Sequence, residues 1–217
     1  MTEAEWVNET HPGSIALTLC RQLGASRAAK GQRKLRLYAC ACSRRARHLF
    51  TSELSGKAVE TAEQYAEGAI SQDALERECV RGMQHGALCC HVCDGIGAAV
   101  IHAPYAAVEA VAWASNGKTP GSYYLVRDAE RSAQIAILRD IFGNPFRPVA
   151  FAPSWRADTA RALAAQMYES RDFSAMPVLA DALQDAGCDS DDILSHCRGE
   201  GPHVRGCWVV DLVLGKE

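Results

Sequence analysis

No stretch of the 217-residue chain approaches the roughly 20 apolar residues that a helix needs to cross a bilayer, so no integral membrane protein is expected. The opening residues, MTEAEWVNETHPGS, carry acids where a secretory signal carries a basic flank and an apolar stretch. Export is therefore not expected, and the expected compartment is the cytoplasm. Neither sign of charge is in large excess: the net charge of -3 argues against affinity of the whole molecule for nucleic acid but leaves room for a local basic patch. Internal repeats and low-complexity segments are absent, and 48% hydrophobic with 23% charged residues excludes a disordered tail. Conventional catalytic patterns are missing as well. The chain has no G-x-x-x-x-G-K, no G-x-S-x-G, no H-E-x-x-H and no dinucleotide fingerprint.

Cysteine is what the chain has in excess. Ten in 217 residues exceed ordinary usage, yet fall short of the small disulfide scaffolds, which need bridges because they bury too little surface. In a reducing compartment most of these thiols stay free. Scattered ones then act as small buried hydrophobes, and clustered ones point to metal or catalysis. Cys20, Cys40, Cys42 and Cys79 read as core filler.

Helical signals dominate, and the expected fold class is all-α: one compact multi-helix domain over residues 1–217, with two small lobes meeting near 116–121 as the variant. Thr2 and Glu5 have capping-box spacing. Ser14 can cap a helix from Ile15 to Leu23, and Leu35, Tyr38, Ala39, Cys42, Ala46 and Leu49 form a core stripe on a helix from Gln32 to Phe50. Ser55–Glu67 and a segment opened by Ser71-Gln72-Asp73 continue the pattern. Pro104 is expected to cut the Ala/Gly-rich region between Gly82 and Trp113. Asn116–Gly121 is the clearest loop. Beyond it come Tyr123–Phe142, an extended Phe146–Pro153 crossing, and helices at Asp158–Ser170, Met176–Ala186, Asp191–Cys197 and Val204–Leu214. The last, with its run of Val209 to Leu214, also fits a short strand.

The run Leu138-Arg139-Asp140-Ile141-Phe142-Gly143-Asn144-Pro145-Phe146-Arg147-Pro148 resembles the central signature of an uncharacterised family of bacterial proteins. The family's tail is similar to Leu179–Cys188, to His196-Cys197-Arg198-Gly199 and to the run from Gly201-Pro202-His203-Val204-Arg205-Gly206-Cys207-Trp208 to Leu212. Near the N-terminus, Arg33–Cys42 matches too, although the family often shows Phe at Tyr38 and Cys at Ser43. The resemblance spans nearly the whole chain and is weakest in its Ala-rich middle. It carries no activity, cofactor or site.

Three constellations can carry chemistry. Cys188, Cys197, His203 and Cys207 are separated by eight, five and three residues, the spacing of one RNA-binding zinc-finger class with its last two ligand types exchanged. Zinc takes four N or S donors at tetrahedral corners, and Arg198–Pro202 can turn the chain around an ion. His196 is a fifth donor, although it and Cys197 point apart on a helix. The loop lacks the aromatics with which such fingers stack bases. In this segment Cys207, His203 and Asp211, at four-residue steps, also form a thiol–imidazole–carboxylate stripe if the helix begins early enough. The second constellation is Cys89-Cys90-His91-Val92-Cys93, with His85 and His102 nearby. It has metal-edge and thiol-redox spacing but no preceding strand to activate a thiol, so packing against alanines is the better reading.

The third is charge. No acid occurs from Thr10 through Ser52, while nine Lys and Arg do, and Arg36, Arg44, Arg45 and Arg47 are the candidate anion or nucleic-acid contacts. A solvated face, or one docked on the acids Asp181, Asp185, Asp189, Asp191 and Asp192, is the favoured alternative. The expected function is a non-enzymatic module that binds a protein partner, with the Cys/His-rich C-terminal segment as a structural or zinc-stabilised element. Two buried cysteines and two surface histidines around a Gly-Pro turn are the favoured alternative to a metal site there. A thiol- or metal-dependent enzyme, and nucleic-acid binding through the basic helix, are the alternatives.

Overall fold

The computed structural model describes residues 1–21, 24–50, 52–84, 96–115 and 122–216, with backbone alone at 79, 82–84, 96–101 and 115. Among the described residues there are eleven α-helices and no strand, so the chain is all-α. Its helices divide into two units, Met1–Leu138 and Arg139–Glu217. The loop expected to separate lobes, 116–121, lies outside the described residues.

In the first unit, α1 (Glu3–Asn8) is opened by a complete capping box: the Thr2 amide donates to Glu5 Oε2 at 2.7 Å and the Glu5 amide to Thr2 Oγ1 at 3.3 Å. Next, α2 (Pro12–Arg21) starts at the proline, whose missing N–H costs nothing in a first turn, rather than after Ser14. The long basic helix α3 (Ala29–Arg45) ends sooner than its apolar stripe suggests and passes into a 3-10 turn at Arg47–Leu49. Then come α4 (Glu53–Ala66) and α5 (Gln72–Gln84). Ala39 and Cys40 of α3, Ala58, Val59 and Ala62 of α4, Leu75 of α5 and Ala103 of α6 form one buried cluster.

Helix α6 (Ile96–Ser115) runs through Pro104, where a break was expected. A proline inside a helix removes one hydrogen bond and crowds the carbonyl four residues back. Here Ala103, Ala107, Val108 and Ala112 are buried around it, and the Gln134 side-chain amide donates to the Pro104 carbonyl at 3.0 Å. Packing of small residues sustains the helix across the defect. Helix α7 (Ser122–Phe142) closes the first unit and carries its last turn into the second.

The basic helix is answered within its own unit. Arg44 pairs with Glu63 (Nη2–Oε2 2.9 Å), Arg45 with Glu130 at 2.9 Å and Arg33 with Glu67 at 2.9 Å. Arg36 is buried with its guanidinium over the Tyr65 ring, whereas Arg47 is exposed. The carboxylates that meet Arg44 and Arg45 thus come from α4 and α7, not from the acidic stretch proposed for that role. Of that stretch, Asp181 pairs with Arg198 at 3.0 Å.

The second unit holds α8 (Asp158–Ser170), α9 (Met176–Asp185), α10 (Asp191–Arg198) and α11 (Trp208–Leu214). No strand forms at Val209–Leu214, and α11 begins four residues later than expected because a turn closed by the Cys207 amide on the Val204 carbonyl precedes it. The core gathers Met167 and Tyr168 of α8, Leu179 and Leu183 of α9, Ile193 of α10, and Val209, Val210 and Val213 of α11. Val149 and Phe151 of the extended segment pack against it.

Replacing Arg44 with Met leaves the buried Glu63 carboxylate without that guanidinium, and is expected to cost about 3 kcal/mol of unfolding free energy. The joint replacement Arg44→Met/Glu63→Leu should cost less, because no stranded charge remains. Urea denaturation of the single and double variants checks both.

Candidate metal centre

Four side chains converge in the second unit from four separate places in its chain. Asp140 stands on the last turn of α7, which ends where Gly143 adopts a left-handed φ of 65° and its amide closes on the Arg139 carbonyl at 2.9 Å. His196 lies on α10, which Arg198 ties to α9 through Asp181 and Gln184. His203 sits in the irregular loop between α10 and α11, and Cys207 is the residue that caps α11.

Glycine and arginine shape that loop. Gly201 has φ 87°, and a Cβ there would lie 2.9 Å from the His203 backbone nitrogen, so only glycine fits. The Arg205 guanidinium donates twice to the Tyr168 carbonyl, at 3.1 and 2.9 Å, and lies over the Tyr168 ring. These contacts anchor the loop to α8.

The donor atoms are close. Asp140 Oδ1 is 2.9 Å from His203 Nδ1 and 3.1 Å from His196 Nε2. His196 Nε2 is 3.2 Å from Cys207 Sγ. Oδ1, the two ring nitrogens and the sulfur all lie within 4.8 Å of one another. The other carboxylate oxygen is engaged elsewhere: the Val204 amide donates to Asp140 Oδ2 at 2.9 Å, leaving Oδ1 to face the group.

Outer contacts decide what those atoms offer. His203 Nε2 lies 3.3 Å from the Gly199 carbonyl, a pure acceptor, so Nε2 carries a proton and Nδ1 points at the carboxylate. Either a second proton occupies the Nδ1–Oδ1 contact or two lone pairs face each other. The same competition recurs at His196 Nε2, which has one position to serve both Oδ1 and Sγ. A single cation among the four atoms removes it. Tetrahedral bonds near 2.0–2.3 Å give donor–donor edges of about 3.3–3.7 Å, so the short edges need to open by a few tenths of an ångström and the longest, up to 4.8 Å, to close by about an ångström.

Without a cation, charge is held by the group itself. Burial works against ionised Asp140, but hydrogen bonds from His196 and His203 override it and hold the carboxyl below the usual carboxylate range. Burial likewise opposes protonation of His203, and the bond to Asp140 more than offsets it, raising its pKa above the ordinary imidazole value. Burial, and next the charge of Asp140, push the Cys207 thiol far above its ordinary range.

Of the residues singled out by spacing, His203 and Cys207 stand in this group. Cys188 and Cys197 lie in the hydrophobic core cluster, where burial, reinforced by Cys188, pushes the Cys197 thiol up to about 12. Of the adjacent pair on α10, His196 turns to the donors and Cys197 to the core. Asp140 escaped the spacing argument, since it lies 63 residues before His203 and only the quoted signature run marked its segment. Asp211 is buried at the start of α11 and is not among the converging donors, and the 203–207 interval is not helical, so the stripe of Cys207, His203 and Asp211 does not form as drawn. His102 is exposed on α6. His85 and the Cys89–Cys93 cluster lie outside the described residues. Cys40 and Cys42 are buried, Cys20 is partly so, and all six cysteines with described side chains carry free thiols. Among the described residues, no helix is long and apolar enough to cross a membrane.

No family model matches the chain, and no curated protein or solved structure matches it either.

Chelator-treated protein should show a two-sided pH dependence of stability. The Asp140 contribution is complete above the ordinary carboxylate pKa and is lost as pH falls through its lowered value. The His203 contribution is complete below the ordinary imidazole pKa and is lost as pH rises through its raised value. Denaturant unfolding across pH is expected to plateau between about 4 and 6.5, the two ordinary values, and Asp140→Asn should flatten the alkaline limb. Separately, Gly201→Ala is expected to lose about 2 kcal/mol from backbone strain alone, measurable in the same assay.

Proposed function

We propose that residues 139–217 form a metal-stabilised helical module in which Asp140 Oδ1, His196 Nε2, His203 Nδ1 and Cys207 Sγ hold one zinc ion, and that the protein acts as a non-enzymatic module binding a protein partner. The observation that carries this reading is the convergence of four donor atoms within 4.8 Å. A carboxylate, two imidazoles and one thiolate form a borderline-soft set suited to zinc rather than to magnesium or calcium, which take oxygen alone. Four protein donors also fill a tetrahedron, whereas catalytic zinc keeps a position open for water. Two of the ligands are supported by a second contact, from the Val204 amide on Asp140 and the Gly199 carbonyl on His203. The resemblance to an uncharacterised bacterial family adds no activity to weigh against a binding role.

A thiol enzyme built on the same group is the second reading, favoured by the 3.2 Å approach of His196 Nε2 to Cys207 Sγ. Against it stand the complete enclosure of Cys207 and the upward push on its thiol, the reverse of what an activated nucleophile needs. Nucleic-acid binding through α3 is weakened by the pairing of Arg44 and Arg45 with Glu63 and Glu130.

Elemental analysis of the purified protein is expected to give one zinc per chain. Asp140→Asn, His196→Ala and Cys207→Ser should each lose it, while Cys188→Ala and Cys197→Ala keep it. Cobalt substituted for zinc should show a sulfur-to-metal charge-transfer band that Cys207→Ser abolishes. Chelation should lower the Tm, since a ligand at a hundredfold its Kd contributes about 2.7 kcal/mol. Metal-free protein whose Cys207 reacts with iodoacetamide faster than an unfolded thiol would instead support the enzyme.

A further inference from the structure

The donor group is walled in unevenly. Cys207 is 0% exposed, the Asp140 side chain 2% and the His203 side chain 7%, but the His196 side chain is 20% exposed. Asp140 and Cys207 are sealed in protein, His203 is less completely enclosed, and His196 has the largest exposed share of the four. Trp208, the residue directly after the Cys207 donor, lies against the His196 ring. Its ring centroid lies 5.2 Å from that of His196, tilted by 55°.

The indole is held in this place from its other side. A Cβ on Gly143 would come within 3.2 Å of the Trp208 indole Cγ and 3.3 Å of Cδ2, so the ring lies against a backbone that carries no side chain. Gly143 is the left-handed residue that ends α7, three positions after Asp140. Trp208 is thus wedged between the helix end that delivers one ligand and the imidazole that is the exposed one. It also packs, partly buried, against the core of the unit.

We propose that Trp208 is the gate of this metal centre: it is not a ligand, but its indole covers the water-facing edge at His196 and sets the rate at which bound zinc is released or exchanged. The inference rests on the zinc reading above. A four-coordinate site with no open position gives up its ion one bond at a time. The first step breaks the zinc–His196 Nε2 bond and forms a zinc–water bond, with no change of oxidation state. His196 is the donor best placed for this step, because its side chain is the most exposed of the four. For its ring to swing out, the indole must leave its seat on Gly143. An apolar ring at this position also keeps water from the vacated coordination site, so the bond re-forms more often than it is replaced.

The test is the rate of zinc transfer from the loaded protein to an excess of a chromogenic chelator, with stoichiometry measured on the same samples. Trp208→Ala is expected to bind one zinc and release it about tenfold faster or more, in line with the size of outer-shell effects on metal sites. Trp155→Ala, a truncation against the same core whose ring meets Phe151 edge-to-face, serves as the control and should release at the natural rate. Should Trp208→Ala fail to fold, Trp208→Leu replaces it and must release faster than the natural protein. A Trp208 variant that binds one ion and releases it at the natural rate overturns the gate and leaves the zinc site standing. Equal acceleration by Trp155→Ala also overturns it, since general loosening would then be the cause. A natural protein that binds no zinc removes the underlying site, and the gate falls with it.

Discussion

A carboxylate buried almost completely in protein is the constraint around which the second unit is arranged. An ionised Asp140 without partners would cost more than a domain of this size can bear, so the surroundings must answer its charge. They do so from three directions: the Val204 amide on one oxygen, and His196 and His203 on the other. Those partners belong to α10 and to the loop that follows it. The loop has no helix or strand of its own to dictate its path, and its course follows from what it must reach: Asp140 at its centre and, through Arg205, the Tyr168 carbonyl on α8.

The first unit meets the same problem of buried charge with the opposite result. There three carboxylates each face a guanidinium: Glu63 with Arg44, Glu67 with Arg33 and Glu130 with Arg45. In such pairs a fixed positive charge meets the carboxylate directly, and Glu130 Oε1 also accepts from the Gln134 side-chain amide at 3.3 Å. The Asp140 group is different in kind, because imidazole, thiol and carboxylate all bring lone pairs to the same small volume. The contrast separates a structural ion pair from a group that could hold a cation, although both are clusters of buried polar side chains.

How much of this was legible in the sequence depends on how local the signal is. Asp158–Ser170 appears in the structure with the ends its periodicity suggested, and the capping box at Thr2 and Glu5 forms in full, because both rest on contacts within a few residues. Pro104 misled because the gain from packing small residues around it is a tertiary quantity that a helix-breaking rule does not contain. Val204 misled because the turn that the Cys207 amide closes on the Val204 carbonyl keeps residues 204–207 out of the helix. For the site, His203 and Cys207 were visible as neighbours in the chain. Asp140 was not, since nothing in one sequence says that a carboxylate on the last turn of α7 faces inward beside a loop far downstream. The choice between His196 and Cys197 turned on which side of α10 faces the core, and two adjacent donors give no means of deciding that.

The pairing along α3 has a further consequence for how this unit looks from a distance. A run of arginines on one helix suggests a pole of positive potential reaching well into solvent. With Glu67, Glu63 and Glu130 set against Arg33, Arg44 and Arg45, those positions present dipoles instead. Dipole fields fall away faster than that of a lone charge, and ordinary salt damps what is left over about 10 Å. An approaching polyanion would therefore sense less positive charge at those three positions than the run of arginines suggests.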